Sequence, residues 1–353
     1  MRLPKASTPG SRVPAAAGQL LGLITVLISI LGMEFFWLRN ALRSTSSTSK
    51  APYKTFSKLG SQSRQTPTLL GRIHVSISFH FNVQRLTYLS RNLETMSLWD
   101  NVPDVCIGTN EPSKLLAYLQ NPVTGTAFSR KVTLCQINNL SLPNLLNWRT
   151  REAMQLAFQS SVHYNTFVFV EDDVFITWDK MLKWEEDSQM LKAHNFTRTF
   201  LRYEISPLNG EPHTLDFHDA GPSRLVAFPQ QDGEDAKYFV QAGGFEGTYA
   251  GMFVATRQQM LDFINSSFWS FIADRFCCDE GGREDASWKI QSINVPEGWD
   301  KTGLLPFNIT TGRVDDRALL FHQPNNYYGR PAGWTGIPFK DMNEKFQRLA
   351  KSL

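Results

Sequence analysis

The chain has 353 residues, enough for one large domain or two modest ones, and its 42% hydrophobic and 12% aromatic content argues against global disorder. A formal net charge of +3 spread over dispersed Lys and Arg argues against a nucleic-acid partner. Its four cysteines, Cys106, Cys135, Cys277 and Cys278, form no CxxC pair and no Cys/His spacing of the kind a structural zinc site needs.

The first thirteen residues form a short tail carrying Arg2, Lys5 and Arg12. From Pro14 to Met33 no residue is charged, and Leu20 to Leu31 is almost wholly aliphatic, which is long enough for a helix to cross a bilayer. Phe35-Phe36-Trp37 suits the aromatic belt at its far end. No small-x-small cleavage site follows the apolar core, so residues 14–38 read as an uncleaved signal-anchor with a cytosolic N-terminus, not as a cleaved leader. Residues 39–70, rich in Ser and Thr and almost without aliphatics, read as a flexible stem. Four N-glycosylation sequons follow, at Asn139, Asn195, Asn265 and Asn308, in keeping with a lumenal domain. A lumenal setting permits disulfides, and Cys106 and Cys135, in two apolar runs that would be neighbouring strands, are the favoured pair.

The globular part spans 71–353. Arg72 to Phe79 alternates with period two and predicts a strand, followed by a helix over Leu86 to Leu98. Asp104 to Gly108 and Lys131 to Ile137 predict two more strands, with a short helix opened by Pro112 between them. Pro143 introduces a helix to about His163, with apolar residues at three- and four-residue steps. This alternation predicts βαβ units, hence an α/β fold with an open, mainly parallel sheet flanked by helices in residues 71–178. No GxGxxG follows the first strand and no GxxxxGK[ST] occurs, so neither a dinucleotide site nor a P-loop is expected. The second half, 179–353, is less regular. It predicts strands at Phe200 to Glu204 and Thr248 to Ala255, a helix over Arg257 to Ile264, and a short apolar run from Ala318 to His322.

The strand Thr166 to Val170 runs into three consecutive carboxylates, Glu171-Asp172-Asp173. Like charges at the tip of a buried strand need a positive partner, and a divalent cation is the simplest, since hard cations take oxygen ligands. Ligands in open α/β sheets also bind at the carboxyl ends of strands. The alternative is a charged turn, or acids capping the next helix.

In order along the chain, these features resemble the Golgi-type glycosyltransferases of the GT-A fold: tail, signal-anchor, stem and lumenal catalytic domain, with an acidic DxD-like motif at a strand end. The E-D-D form is similar to that of N-acetylglucosaminyltransferase I-like enzymes, and the likeness covers roughly residues 70 to 325. It implies a hexosyl- or N-acetylhexosaminyl-transferase using a UDP-sugar donor and Mn2+ on a glycan, glycoprotein or glycolipid acceptor. Asp173 and His322 would ligate the metal, while Glu171 and Asp172 would contact metal-bound water, ribose or sugar. Gly243 and Gly244 would let the donor sugar approach. Of the pair Glu284 and Asp285, Asp285 is preferred as the base that deprotonates the acceptor hydroxyl, although acids there also suit the first turn of a helix. Ser76, Ser78 and Asn110, at the ends of the first two strands, are candidates to contact the nucleotide, and Arg149 (with Arg151) to approach a phosphate. A lumenal glycoside hydrolase and a non-catalytic glycan-binding relative are the alternatives; the first would need a second carboxyl across the glycosidic bond from Glu171.

Overall fold

The computed structural model describes residues 70–121, 132–137, 145–215, 224–229, 235–241, 250–270, 296–299, 303–324 and 337–351, all within one structural unit, Gln65–Leu353. The predicted tail and signal-anchor, the stem as far as residue 69, and the residues Asn139, Gly243, Gly244, Cys277, Cys278, Glu284 and Asp285 lie outside this set. Among the described residues no helix is long and apolar enough to cross a membrane.

The fold is mixed α/β, and its first sheet is mainly parallel. In chain order that part comprises β1 (Ile73–Phe79), α1 (Leu86–Ser97), β2 (Asp104–Thr109), α2 (Pro112–Gln120), β3 (Val132–Gln136), α3 (Leu146–Gln159) and β4 (Thr166–Glu171). Together with β11 (Met252–Thr256) the strands form a sheet of order β11-β4-β1-β2-β3. β4, β1, β2 and β3 are parallel neighbours, and β11 closes one edge antiparallel to β4. A three-residue 3-10 turn, Val83–Arg85, leads into α1. A disulfide joins Cys106 on β2 to Cys135 on β3, with the Cα atoms 5.9 Å apart.

Both faces of this sheet are covered. Ile73, Val75, Ile77 and Phe79 of β1 pack with Leu86, Leu89, Leu93 and Met96 of α1 and with Val168 and Val170 of β4. On the opposite face Phe167 and Phe169 meet Met154 of α3, Phe253 of β11, and Met260 and Phe263 of α5 (Arg257–Ile264). This double coverage explains why β4 reads as a continuous apolar run. β1 differs: its alternate residues His74, Ser76 and Ser78 are also buried, so its period-two pattern marks polar side chains under α3, not a solvated face.

The rest of the chain builds two smaller sheets. The first contains β6 (Thr197–Arg198), β9 (Leu225–Phe228), β10 (Lys237–Gln241), β12 (Gly303–Asn308) and β13 (Arg313–Val314), mostly antiparallel. The second has the order β5-β14-β7-β8, comprising β5 (Val174–Phe175), β7 (Leu201–Ile205), β8 (Pro212–Thr214) and β14 (Leu319–His322). The helices α4 (Trp178–Lys192) and α6 (Phe339–Ala350) complete the unit. β5 begins one residue after Asp173, so the acidic turn is the bridge from the large sheet to this last one.

Candidate active site

The chain Glu171-Asp172-Asp173 forms the turn between β4 and β5, and its backbone is held from three directions. The Glu171 amide donates to Gly251 O at 2.9 Å, Asn92 Nδ2 on α1 donates to Asp172 O at 2.8 Å, and the Gln323 amide beyond β14 donates to Asp173 O at 2.8 Å. Gly251 has a φ of +62°. A Cβ there would come within 2.9 Å of Val174 Cγ2 and 3.1 Å of Glu171 Oε2, so only glycine lets the chain pass this close.

All three carboxylates are buried, and Asp172 and Asp173 share Arg85. Asn147 Nδ2 of α3 donates to Glu171 Oε1 at 2.9 Å, and the Ser78 hydroxyl in turn donates to Asn147 Oδ1. Arg85 grips Asp172 with a fork, Nε to Oδ2 at 2.8 Å and Nη2 to Oδ1 at 2.6 Å, and Nη2 also reaches Asp173 Oδ2 at 2.8 Å. His322, the last residue of β14, sets Nε2 3.3 Å from the same Asp173 oxygen. Its Nδ1 lies 2.6 Å from Glu204 Oε1. The parallel register of β7 and β14, with Phe321 beside Tyr203, carries Glu204 to this position. The other oxygen of Asp173, Oδ1, is buried and has no hydrogen-bond partner.

The electrostatics follow from burial opposed by these contacts. Burial pushes the Asp172 carboxyl up to about 7, with the Asp173 charge adding to the rise and the Arg85 fork opposing it. Burial acts on Asp173 in the same direction, yet the His322 hydrogen bond and the charges of His322, Arg85 and Arg202 outweigh it and hold Asp173 below the usual carboxylate range. For His322, burial favours the neutral ring, and the bonds to Asp173 and Glu204 prevail and raise it. The expected positive partner of the acids is therefore supplied in part by the chain itself.

The donor set fits a divalent cation. Asp173 offers a buried, unpartnered oxygen. Glu204 is placed to accept Nδ1–H from His322, and a neutral ring in that tautomer would present its Nε2 lone pair to a metal, the carboxylate–histidine arrangement that orients ligating imidazoles. Among the described residues no three His, Cys, Asp or Glu side chains form a complete metal cage, so an ion here would draw its remaining ligands from elsewhere, as hard cations on phosphates do.

Of the residues singled out in the sequence, Glu171, Asp172, Asp173 and His322 converge, and Ser78 stands behind them, linked to Glu171 through Asn147. Asn110 accepts from the Phe81 amide at 2.7 Å and so fastens the loop after β1. Ser76 sits in mid-strand against His74, its hydroxyl 2.9 Å from Nε2, away from the strand end where a nucleotide would lie. Arg149 is exposed and pairs with Glu152 at 2.6 Å. Arg151 is buried among Trp148, Phe263 and Trp269, and it donates to the Phe268 carbonyl. Trp269 is buried and donates its indole N–H to Gln155 Oε1 at 2.7 Å. Arg85, Arg202, Glu204 and Gly251 escaped the sequence reading. The available hint was in β7, where Arg202 and Glu204 alternate with Leu201 and Tyr203 and so share one face.

A scan against protein-family models and a search of the curated proteins both return no match for this chain.

Proposed function

We propose that the protein is a metal-dependent glycosyltransferase of GT-A-like fold that moves a sugar from a nucleotide-sugar, of the UDP-sugar class, to a glycan, glycoprotein or glycolipid in the Golgi lumen. One observation carries the reading: at the carboxyl end of a parallel strand, Asp173 keeps a buried oxygen without a hydrogen-bond partner beside an imidazole whose Nδ1 lies 2.6 Å from Glu204 Oε1. Asp173 and His322 would hold the ion, with Mn2+ the favoured metal, and a bound ion would supply Lewis-acid neutralisation of the leaving diphosphate.

The chain's own groups have separable tasks. Arg85, fixed by Asp172, holds positive charge at the mouth of the sheet. Asn147 and Ser78 orient Glu171 for a hydroxyl or a bound water. Gly251 keeps the floor of the site open. Asp285 is assigned the removal of the acceptor proton, with Glu284 its alternative, and Gly243 and Gly244 the approach of the sugar. The Cys106–Cys135 disulfide supports an oxidising compartment, in keeping with the signal-anchor at 14–38. For a hydrolase, Asp172 would be a poor second carboxyl, since both its oxygens are engaged by Arg85.

The test is calorimetric titration of the full-length chain in detergent with a panel of nucleotide-sugars, with and without Mn2+. Metal-dependent binding of at least one member is expected. A folded chain that binds none of them refutes the assignment.

A further inference from the structure

Three of the four sequons fall on described residues, and in each the acceptor asparagine is exposed. Asn195 lies in the turn after α4, with φ of +59° and its amide on Lys192 O, just before β6 begins. Asn265 caps the C-terminus of α5. Asn308 ends β12, where its Oδ1 accepts from the Thr311 amide at 2.8 Å and leaves Nδ2, the nucleophilic end, pointing away from that bond. All three therefore sit exposed at the ends of regular elements, where an attached glycan would extend into solvent without displacing packed side chains. Asn195 and Asn308 are also well separated. In the parallel pairing of β6 with β12, Thr197 faces Gly303, so Asn195 lies before one end of the pair and Asn308 at the other, about 17 Å along the strand.

We propose that Asn195, Asn265 and Asn308 each carry an N-linked glycan. The inference rests on the lumenal placement given above and not on the transferase chemistry. In the reaction, Nδ2 forms a bond to the anomeric carbon of an oligosaccharide donated by a lipid diphosphate. The sugar–phosphate bond breaks, the lipid diphosphate leaves and the amide loses one proton. The third residues of the motifs, Thr197, Ser267 and Thr310, supply the required hydroxyl.

The experiment expresses the full-length chain in a eukaryotic cell and compares its mobility before and after peptide-N-glycosidase treatment, alongside protease protection in sealed microsomes. A protected domain whose mobility rises on treatment is expected, with Asn195→Gln, Asn265→Gln and Asn308→Gln each removing one step of about one glycan. Thr197→Ala, Ser267→Ala and Thr310→Ala should remove the same steps, while Thr197→Ser and Thr310→Ser should keep them, which separates lost modification from lost folding. A protected domain with no shift overturns the proposal and leaves the lumenal reading intact. An unprotected, unshifted domain overturns both. Neither result bears on metal-dependent nucleotide-sugar binding, which is measured separately.

Discussion

The two sides of the candidate site are built in opposite ways. The carboxylates come from β4, a strand whose neighbours β1 and β11 bury it from end to end. The groups that tune them come from β7 and β14, short strands of a separate small sheet. In the first region a strand announces itself locally, because a run of apolar β-branched and aromatic residues has few other uses. In the second, Arg202, Glu204 and His322 acquire meaning only when two strands more than a hundred residues apart pair in register. The acids are thus a local feature and their environment a long-range one, and variants can weigh the two separately.

The largest effect belongs to the strand side. Asp173→Asn removes the charge but keeps an oxygen toward Arg85, and it relieves repulsion with Asp172. The melting temperature should move little, while turnover with Mn2+ falls by about 1,000-fold or more, on the order of 4 kcal/mol. Steady-state kinetics and a thermal melt on the same sample test this; a variant with wild-type turnover would overturn the proposed role of Asp173 in metal binding.

The second test addresses the buried polar face of β1. His74 is buried beside Tyr164 and Phe167, and burial lowers its pKa to about 4, the Asp104 charge opposing only weakly. Taking the ordinary value of about 6.5 for the unfolded chain, the unfolded state binds the extra proton between those two limits. The associated stability is fully present above about pH 6.5 and is lost as the pH falls through about 4, a total of about 3 kcal/mol. Urea denaturation from pH 7.5 to 4 should show this loss, and His74→Gln should flatten that limb of the curve. An unchanged acid limb would mean that other groups set it.

These two residues also mark what was legible in the sequence. The order and type of the elements from β1 to β4 were readable because periodicity encodes them, the disulfide pair because its cysteines lie in two adjacent apolar runs, and the grouping of His322 with Glu171, Asp172 and Asp173 only through the resemblance to the GT-A transferases. The sheet of β6, β9, β10, β12 and β13 was not, since strands of two to six residues in mixed company leave no period to detect. Ser76 was assigned toward a nucleotide from its place near a strand end, and strand position alone does not reveal its contact with His74. Arg85 was hidden for another reason: it lies in a 3-10 turn, and its partner Asp172 is 87 residues away.

On the other side of the comparison, Glu204→Gln keeps the volume and a hydrogen bond but no longer favours the Nδ1–H tautomer of His322. Outer-shell partners of ligating histidines are typically worth 10- to 100-fold in metal affinity. Mn2+ binding followed by electron paramagnetic resonance should weaken within that range, with folding retained. An affinity equal to wild type would reduce Glu204 to a packing role and leave the small sheet without a part in metal binding.

The smallest expected effect is the sharpest check on reading function from position. Arg149 sits on the helix that leads to the acidic strand, as a phosphate-binding arginine would, but it is exposed and paired with Glu152. Exposed pairs of this kind contribute roughly 0–1 kcal/mol. Arg149→Ala should therefore leave both nucleotide-sugar affinity and stability within about 0.5 kcal/mol of wild type. Arg85→Ala, by contrast, strips Asp172 of both its hydrogen bonds and should impair binding and stability together, since an uncompensated buried carboxylate is costly. If Arg149→Ala weakens nucleotide-sugar binding tenfold while Arg85→Ala does not, the cationic side of the site has been assigned to the wrong element.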